Sequence, residues 1–134
     1  MQENGYKCLI IEDSHVQAKV ISLMLGQCGW NVFIASNLSD ACSAAKNDNF
    51  ELILADLVLP DATSGQSINK MRELSPNSLI VAMSASDQIN RSDSVLQKAK
   101  ANGASFLLSK PFTIDRLRPL LEEVEFRIET NERL

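Results

Sequence analysis

"CLIIEDSH", residues 8 to 15, is an apolar run that stops on two adjacent carboxylates. Cys8 to Ile11 read as a strand buried on both faces, the kind of continuous apolar stretch that a parallel sheet uses. Glu12 and Asp13 then set two like charges at its end. Neighbouring carboxylates repel and raise each other's pKa, so the pair needs solvent, cations or a helix N-terminus to offset the repulsion.

Outward from this stretch the pattern repeats. Short apolar runs at Tyr6–Ile11, Val32–Ala35, Leu52–Ala55, Leu79–Met83 and Phe106–Leu108 alternate with five helical patterns, which points to an α/β fold, a parallel sheet with helices on both faces. In the first helix Val16, Val20, Leu23 and Met24 recur at helical spacing, with Ile21, Leu25 and Cys28 beside them, and Gly29 can supply the left-handed cap. An Ala-rich second helix runs from about Leu38 to Lys46. A third carries Ile68, Met71 and Leu74 and stops before Pro76. The fourth covers about Asp93 to Ala101 and ends at Asn102-Gly103. The last follows Thr113 as N-cap and presents Leu117, Leu121, Val124 and Ile128. Trp30 is expected to pack at the end of the first helix.

Composition narrows the class. A chain of 134 residues with 45% hydrophobic and 22% charged residues suits one globular core, so a single domain over 1–134 is expected. A net charge of -4 argues against direct nucleic-acid binding, which needs clustered Lys and Arg. Cys8, Cys28 and Cys42 are odd in number and form no C-x-x-C pair, which reads as free thiols in a reducing compartment. No apolar run reaches the roughly 20 residues that cross a bilayer, and "MQENGYK" lacks the regions of a signal peptide. A cytoplasmic protein without membrane contact is the expectation.

In doubly wound sheets the functional crevice lies outside the carboxyl ends of the strands. Those ends carry Glu12-Asp13, Asp56, Ser84-Ala85 and Ser109-Lys110-Pro111. Hard oxygen ligands on one rim suit Mg²⁺, which takes one or two carboxylates together with phosphate oxygens. A carboxylate can also accept a phosphoryl group. Asp56, alone at the end of the middle strand, is the expected acceptor. The metal, Lys110, and Ser84 with backbone N–H groups would then share the three equatorial oxygens. Taken singly these residues are unremarkable: Asp13 and Ser14 would serve as helix caps, and His15, with no second imidazole, reads as a surface residue rather than a metal ligand.

Together, "IIED" (10–13), "LILADLVLP" (52–60), "VAMSAS" (81–86) and "LLSKPF" (107–112) resemble a response-regulator receiver domain over nearly the whole chain. The resemblance implies a doubly wound five-stranded sheet of order 2-1-3-4-5 and a two-component signalling switch. The chain would not be an enzyme in the ordinary sense but a phosphoacceptor that assists its own phosphorylation and dephosphorylation. A histidine kinase or histidine phosphotransfer protein would donate to Asp56. Asp13 and Asp56 would hold Mg²⁺ directly, the carbonyl of Val58 would add a ligand, and Glu12 would act through water. Ser84 would move toward the phosphate and reshape the face formed by the fourth helix, fifth strand and fifth helix. That face would serve an output protein, an effector domain or a homodimer. Asp13, Glu12, Asp56, Val58, Ser84 and Lys110 are thus the expected site, with Ser84 and Leu107 as the switch positions.

Four features depart from the family pattern. Leu107 stands where an aromatic residue is usual, and Phe106 is sent to the opposite side of the strand by period-two alternation. Ser84 replaces the commoner threonine. The loop "PDATSG" (60–65) is one residue longer than usual, and Pro119 falls inside the last helix, at a cost of roughly 3 kcal/mol unless the helix kinks or starts late. Leu107 and Pro119 favour an alternative, a receiver-like binding module that works without phosphate. A haloacid-dehalogenase-like phosphatase would need Asp where Val58 stands, and a flavodoxin would need a hydroxyl-rich loop in place of "EDSH".

Overall fold

Five parallel strands form one sheet in the order β2-β1-β3-β4-β5. They are β1 (Lys7–Ile11), β2 (Asn31–Ala35), β3 (Leu52–Asp56), β4 (Leu79–Ala85) and β5 (Phe106–Lys110), and the helices are α1 (His15–Gln27), α2 (Leu38–Asn47), α3 (Gln66–Leu74) and α4 (Ile114–Glu129). The structure, a computed structural model, describes residues 5–62, 65–85 and 99–131. The expected fourth helix lies largely outside the described residues, and only its end at 99–101 is seen as helical.

The core follows from strand alternation. Odd-numbered residues of β1, Leu9 and Ile11, join Ile53, Ala55, Ile80 and Ala82 on one face, covered by Leu38, Ala41 and Ala45 of α2 and Ile68 and Met71 of α3. Even-numbered Cys8 and Ile10 join Leu52, Leu54, Val81 and Met83 on the other, covered by Ile21 and Leu25 of α1 and Leu117, Leu121 and Val124 of α4. Every side chain of β3 is buried, as a central strand with helices above and below requires. All five strands therefore present their carboxyl ends along one edge, and residues at or just after the ends of β1, β3, β4 and β5 meet there.

The helices correct the sequence reading in two places. Along α1 the buried residues are Ala18, Ile21 and Leu25, whereas Val16, Val20 and Leu23 are 75%, 50% and 58% exposed. Apolar residues surround most of this helix, so spacing alone admits several faces; small Ala18 marks the close approach to the sheet. Thr113 is the N-cap of α4 by backbone geometry, yet its side chain makes no capping bond. Its carbonyl accepts from the N–H groups of Arg116 and Leu117 instead. Pro119 sits within one helix running from Ile114 to Glu129.

Other expectations match the structure. Gly29 adopts φ 89°, and the N–H groups of Gly29 and Trp30 donate to Gly26 and Leu25, which is a Schellman closure of α1. It delivers Trp30 into the core, against Tyr6 with ring centroids 5.3 Å apart. Phe106 and Leu107 take opposite faces: Phe106 packs on the α1/α4 side with Arg127 over its ring, and Leu107 packs on the α2/α3 side. The three cysteines are unpaired.

Candidate functional site

The crevice at the carboxyl edge of the sheet holds about 330 Å³ and is lined by Glu12, Asp13, Asp56, Val58, Ala85 and Lys110, among others. One oxygen from each of Glu12, Asp13 and Asp56 lies within 4.8 Å of the others. Glu12 and Asp56 are 2% and 5% exposed, while Asp13 is open to solvent. The register explains the convergence: Ile11 pairs with Ala55, so Glu12 and Asp56 leave neighbouring strands at the same level. Across β4, Ala85 pairs with Lys110.

Lys110 ties the cluster. Its ammonium donates to Asp56 Oδ2 at 2.6 Å, to Glu12 Oε1 at 2.7 Å and to Gln17 Oε1 at 2.9 Å. The other oxygen of Asp56 accepts from the Val58 N–H at 2.8 Å, so the carboxylate is fixed in direction by its own loop. Beneath it, the Ser67 hydroxyl donates to the Asp56 carbonyl and the Leu57 N–H to the Met83 carbonyl. Burial raises the pKa of Glu12; the hydrogen bonds from Lys110 and the Ser14 N–H oppose this without cancelling it, and Asp56 adds to the rise. For Lys110, burial pulls the pKa down but the hydrogen bonds to Asp56 and Glu12 outweigh it, and the net direction is up. These are the signs expected of charges held together out of water.

Among the described residues no hydrogen bond or ion pair engages the Asp13 side chain, whereas Glu12 is committed to Lys110 and to the Ser14 N–H at 3.2 Å. Counted over the described residues with all four groups ionised, three carboxylates face one ammonium, a net of two negative charges. An all-oxygen donor set with that deficit fits a hard divalent cation such as Mg²⁺.

Ser84 is placed differently from the rest. It is fully buried, in register with Ser109 on β5, and it is Ala85 that lines the crevice. Leu107, the other expected switch position, is half-buried against the α2/α3 core. Two residues near the site were not foreseen. Gln17 reaches Lys110, and Asp61, in the loop after β3, accepts from the Leu38 and Ser39 N–H groups at 2.8 and 3.1 Å, capping α2 from outside. The Leu38 N–H is the main cause of a lowered Asp61 pKa, opposed by burial and aided by Ser39. The sequence carried one signal for Gln17, the Ser14-x-x-Gln17 spacing of a capping box.

Comparison with known proteins gives a consistent result. A family model described as the response regulator receiver domain matches residues 8–122. The cell cycle transcriptional regulator CtrA of Caulobacter vibrioides is 32% identical over 111 residues, covering 83% of this chain and 46% of that protein. The transcriptional regulatory protein KdpE of Staphylococcus aureus is 31% identical over 119 residues, covering 89% and 49%. The chain thus spans about half the length of these relatives. The solved structure of the chemotaxis protein CheY4 of Vibrio cholerae aligns with a TM-score of 0.80 at 26% identity, over 89% of this chain and 98% of that one.

Proposed function

The chain belongs to the response regulator receiver domain family, whose members are phosphorylation-based switches, and from this premise we propose that Asp56 accepts a phosphoryl group from a histidine kinase or histidine phosphotransfer protein. The observation that carries the proposal is the Asp56 carboxylate held by Lys110 at 2.6 Å within a cluster of three carboxylates. In the transfer an Asp56 oxygen forms a bond to phosphorus while the donor's bond to phosphorus breaks, and the product is an aspartyl phosphate. The Val58 N–H orients the carboxylate, and Lys110 shifts its ammonium onto an equatorial phosphoryl oxygen as charge builds there.

Asp13 and Asp56, with the Val58 carbonyl and with Glu12 through water, would hold Mg²⁺. Bound there, the cation supplies charge neutralisation on the phosphoryl oxygens. Buried Ser84 has to turn toward the crevice to share this work, which links phosphorylation to repacking around β4 and β5. The reading extends to one receiver domain over 1–134 that controls an output protein, an effector domain or a homodimer through the face containing β5 and α4, in the cytoplasm and without itself binding DNA. Among the described residues no helix is long and apolar enough to cross a membrane.

Incubation with acetyl phosphate and Mg²⁺, followed by intact-mass analysis, is expected to add one phosphate to the wild type and none to Asp56→Asn. Equal labelling of both proteins removes Asp56 as the acceptor.

A further inference from the structure

Gln17 is the third residue of α1, and its N–H is capped by the Ser14 hydroxyl at 3.2 Å. In a complete capping box the Gln side chain returns the favour by accepting from the N–H of the N-cap residue. Here that second half is replaced. The Ser14 N–H donates to Glu12 Oε2, and the amide oxygen of Gln17 turns instead to Lys110 Nζ at 2.9 Å. A buried carboxylate at the end of β1 has taken Gln17's usual partner, so the first turn of α1 offers an acceptor to the crevice.

An ammonium carries three N–H donors. The acceptors of Lys110 include two carboxylates and the neutral oxygen of Gln17. The carboxylates are buried at the sheet edge, whereas Gln17 is an exposed residue at the mouth, shared between the crevice and the groove beside α1. We infer that Gln17 is a positioning residue for Lys110: its amide oxygen holds the ammonium toward α1 and limits how tightly Lys110 settles on Glu12 and Asp56. A divalent cation and Lys110 compete for the same carboxylate oxygens. Removing the neutral acceptor takes away one pull that opposes the carboxylates and makes Lys110 harder to displace from them. The consequence for phosphorylation rests on the reading of Asp56 as phosphoacceptor; the tether itself does not.

The test compares the full chain with Gln17→Met, similar in length but without the amide oxygen, and Gln17→Glu, which keeps an acceptor. The lysine ammonium resonance of Lys110 is followed by ¹H–¹⁵N NMR without metal, and Mg²⁺ affinity is measured by calorimetry. Gln17→Met is expected to shift the Lys110 resonance and weaken Mg²⁺ binding about threefold, the low end of the net contribution of one hydrogen bond. Gln17→Glu should restore the affinity. If Gln17 has no hold on the ammonium, Gln17→Met leaves the Lys110 resonance unmoved. That result, or an unchanged Mg²⁺ affinity in Gln17→Met, overturns the inference. Should acetyl phosphate fail to label the wild type while both readouts move as stated, the phosphoacceptor reading falls and the tether stands.

Discussion

At the amino-terminal edge of the sheet, Arg72 of α3 donates to the carbonyls of Pro76, Ser78 and Gly103; Lys7 pairs with Asp48, and the Trp30 indole N–H donates to Glu125. At the carboxyl-terminal edge, among the described residues, one ammonium faces three carboxylates. Both edges carry buried or half-buried polar groups, and they differ in how far these are balanced. At the first edge these charges meet an opposite charge, neutral carbonyls or a neutral N–H donor, and the product is a set of fastened loops. At the second, carboxylates outnumber the ammonium among the described residues, and Asp13 is open to solvent. A polar cluster is thus read as structural or functional from its balance rather than from its burial.

The largest expected effect comes from breaking the unbalanced edge. Lys110→Ala should slow labelling by acetyl phosphate about a hundredfold, the usual loss when one preorganised charge stabiliser is removed. The variant leaves the buried Glu12 and Asp56 carboxylates without their ammonium and should lose stability as well, so the rate is compared per folded molecule. A labelling rate within a few-fold of wild type would place the stabilising charge elsewhere.

Breaking the balanced edge should cost stability and leave the chemistry alone. Arg72→Ala strands the carbonyls of buried Ser78 and half-buried Gly103 that the guanidinium now satisfies, and a loss of about 2 kcal/mol is expected in denaturant unfolding. Its labelling rate per folded molecule should equal wild type. A slowed rate would mean that the two edges communicate through β4.

The smallest effect sharpens the comparison at Asp61, which lies beside the carboxyl-terminal edge yet acts as a helix cap. Its lowered pKa means that its stabilising contribution is present above the ordinary aspartate range and is lost as pH falls through the folded value. Asp61→Ala should therefore melt earlier than wild type at neutral pH. The two melting curves should converge in acid, below the ordinary aspartate pKa of about 3.9. A gap that persists there would assign the loss to packing.

Much of this was legible in the sequence because strands of a parallel sheet announce themselves as apolar runs, and their ends are adjacent letters. Glu12, Asp56 and Lys110 could be placed on one edge without knowing a single contact. The face of α1 was not legible, since Val16, Val20, Ile21, Leu23, Met24 and Leu25 leave little polar contrast around the helix and burial was decided by small Ala18. The Asp61 cap and the Gln17–Lys110 bond join positions 23 and 93 residues apart. Local periodicity holds no record of side chains that reach across loops, and hydroxyl-bearing Ser84 gave no sign that its rotamer would be buried.

Trp30 carries the chain's sole indole. It is buried at the far end of α1 against Tyr6 and bonded to Glu125, at the edge opposite the carboxylate cluster. Its fluorescence is therefore a gauge of whether α1, β2 and α4 are assembled. Titration with Mg²⁺ or acetyl phosphate should leave the emission maximum in place, while unfolding should shift it to the red as the ring meets water. The molecule separates its optical signal from its chemistry, so fold integrity can be monitored in the same cuvette in which the site is loaded.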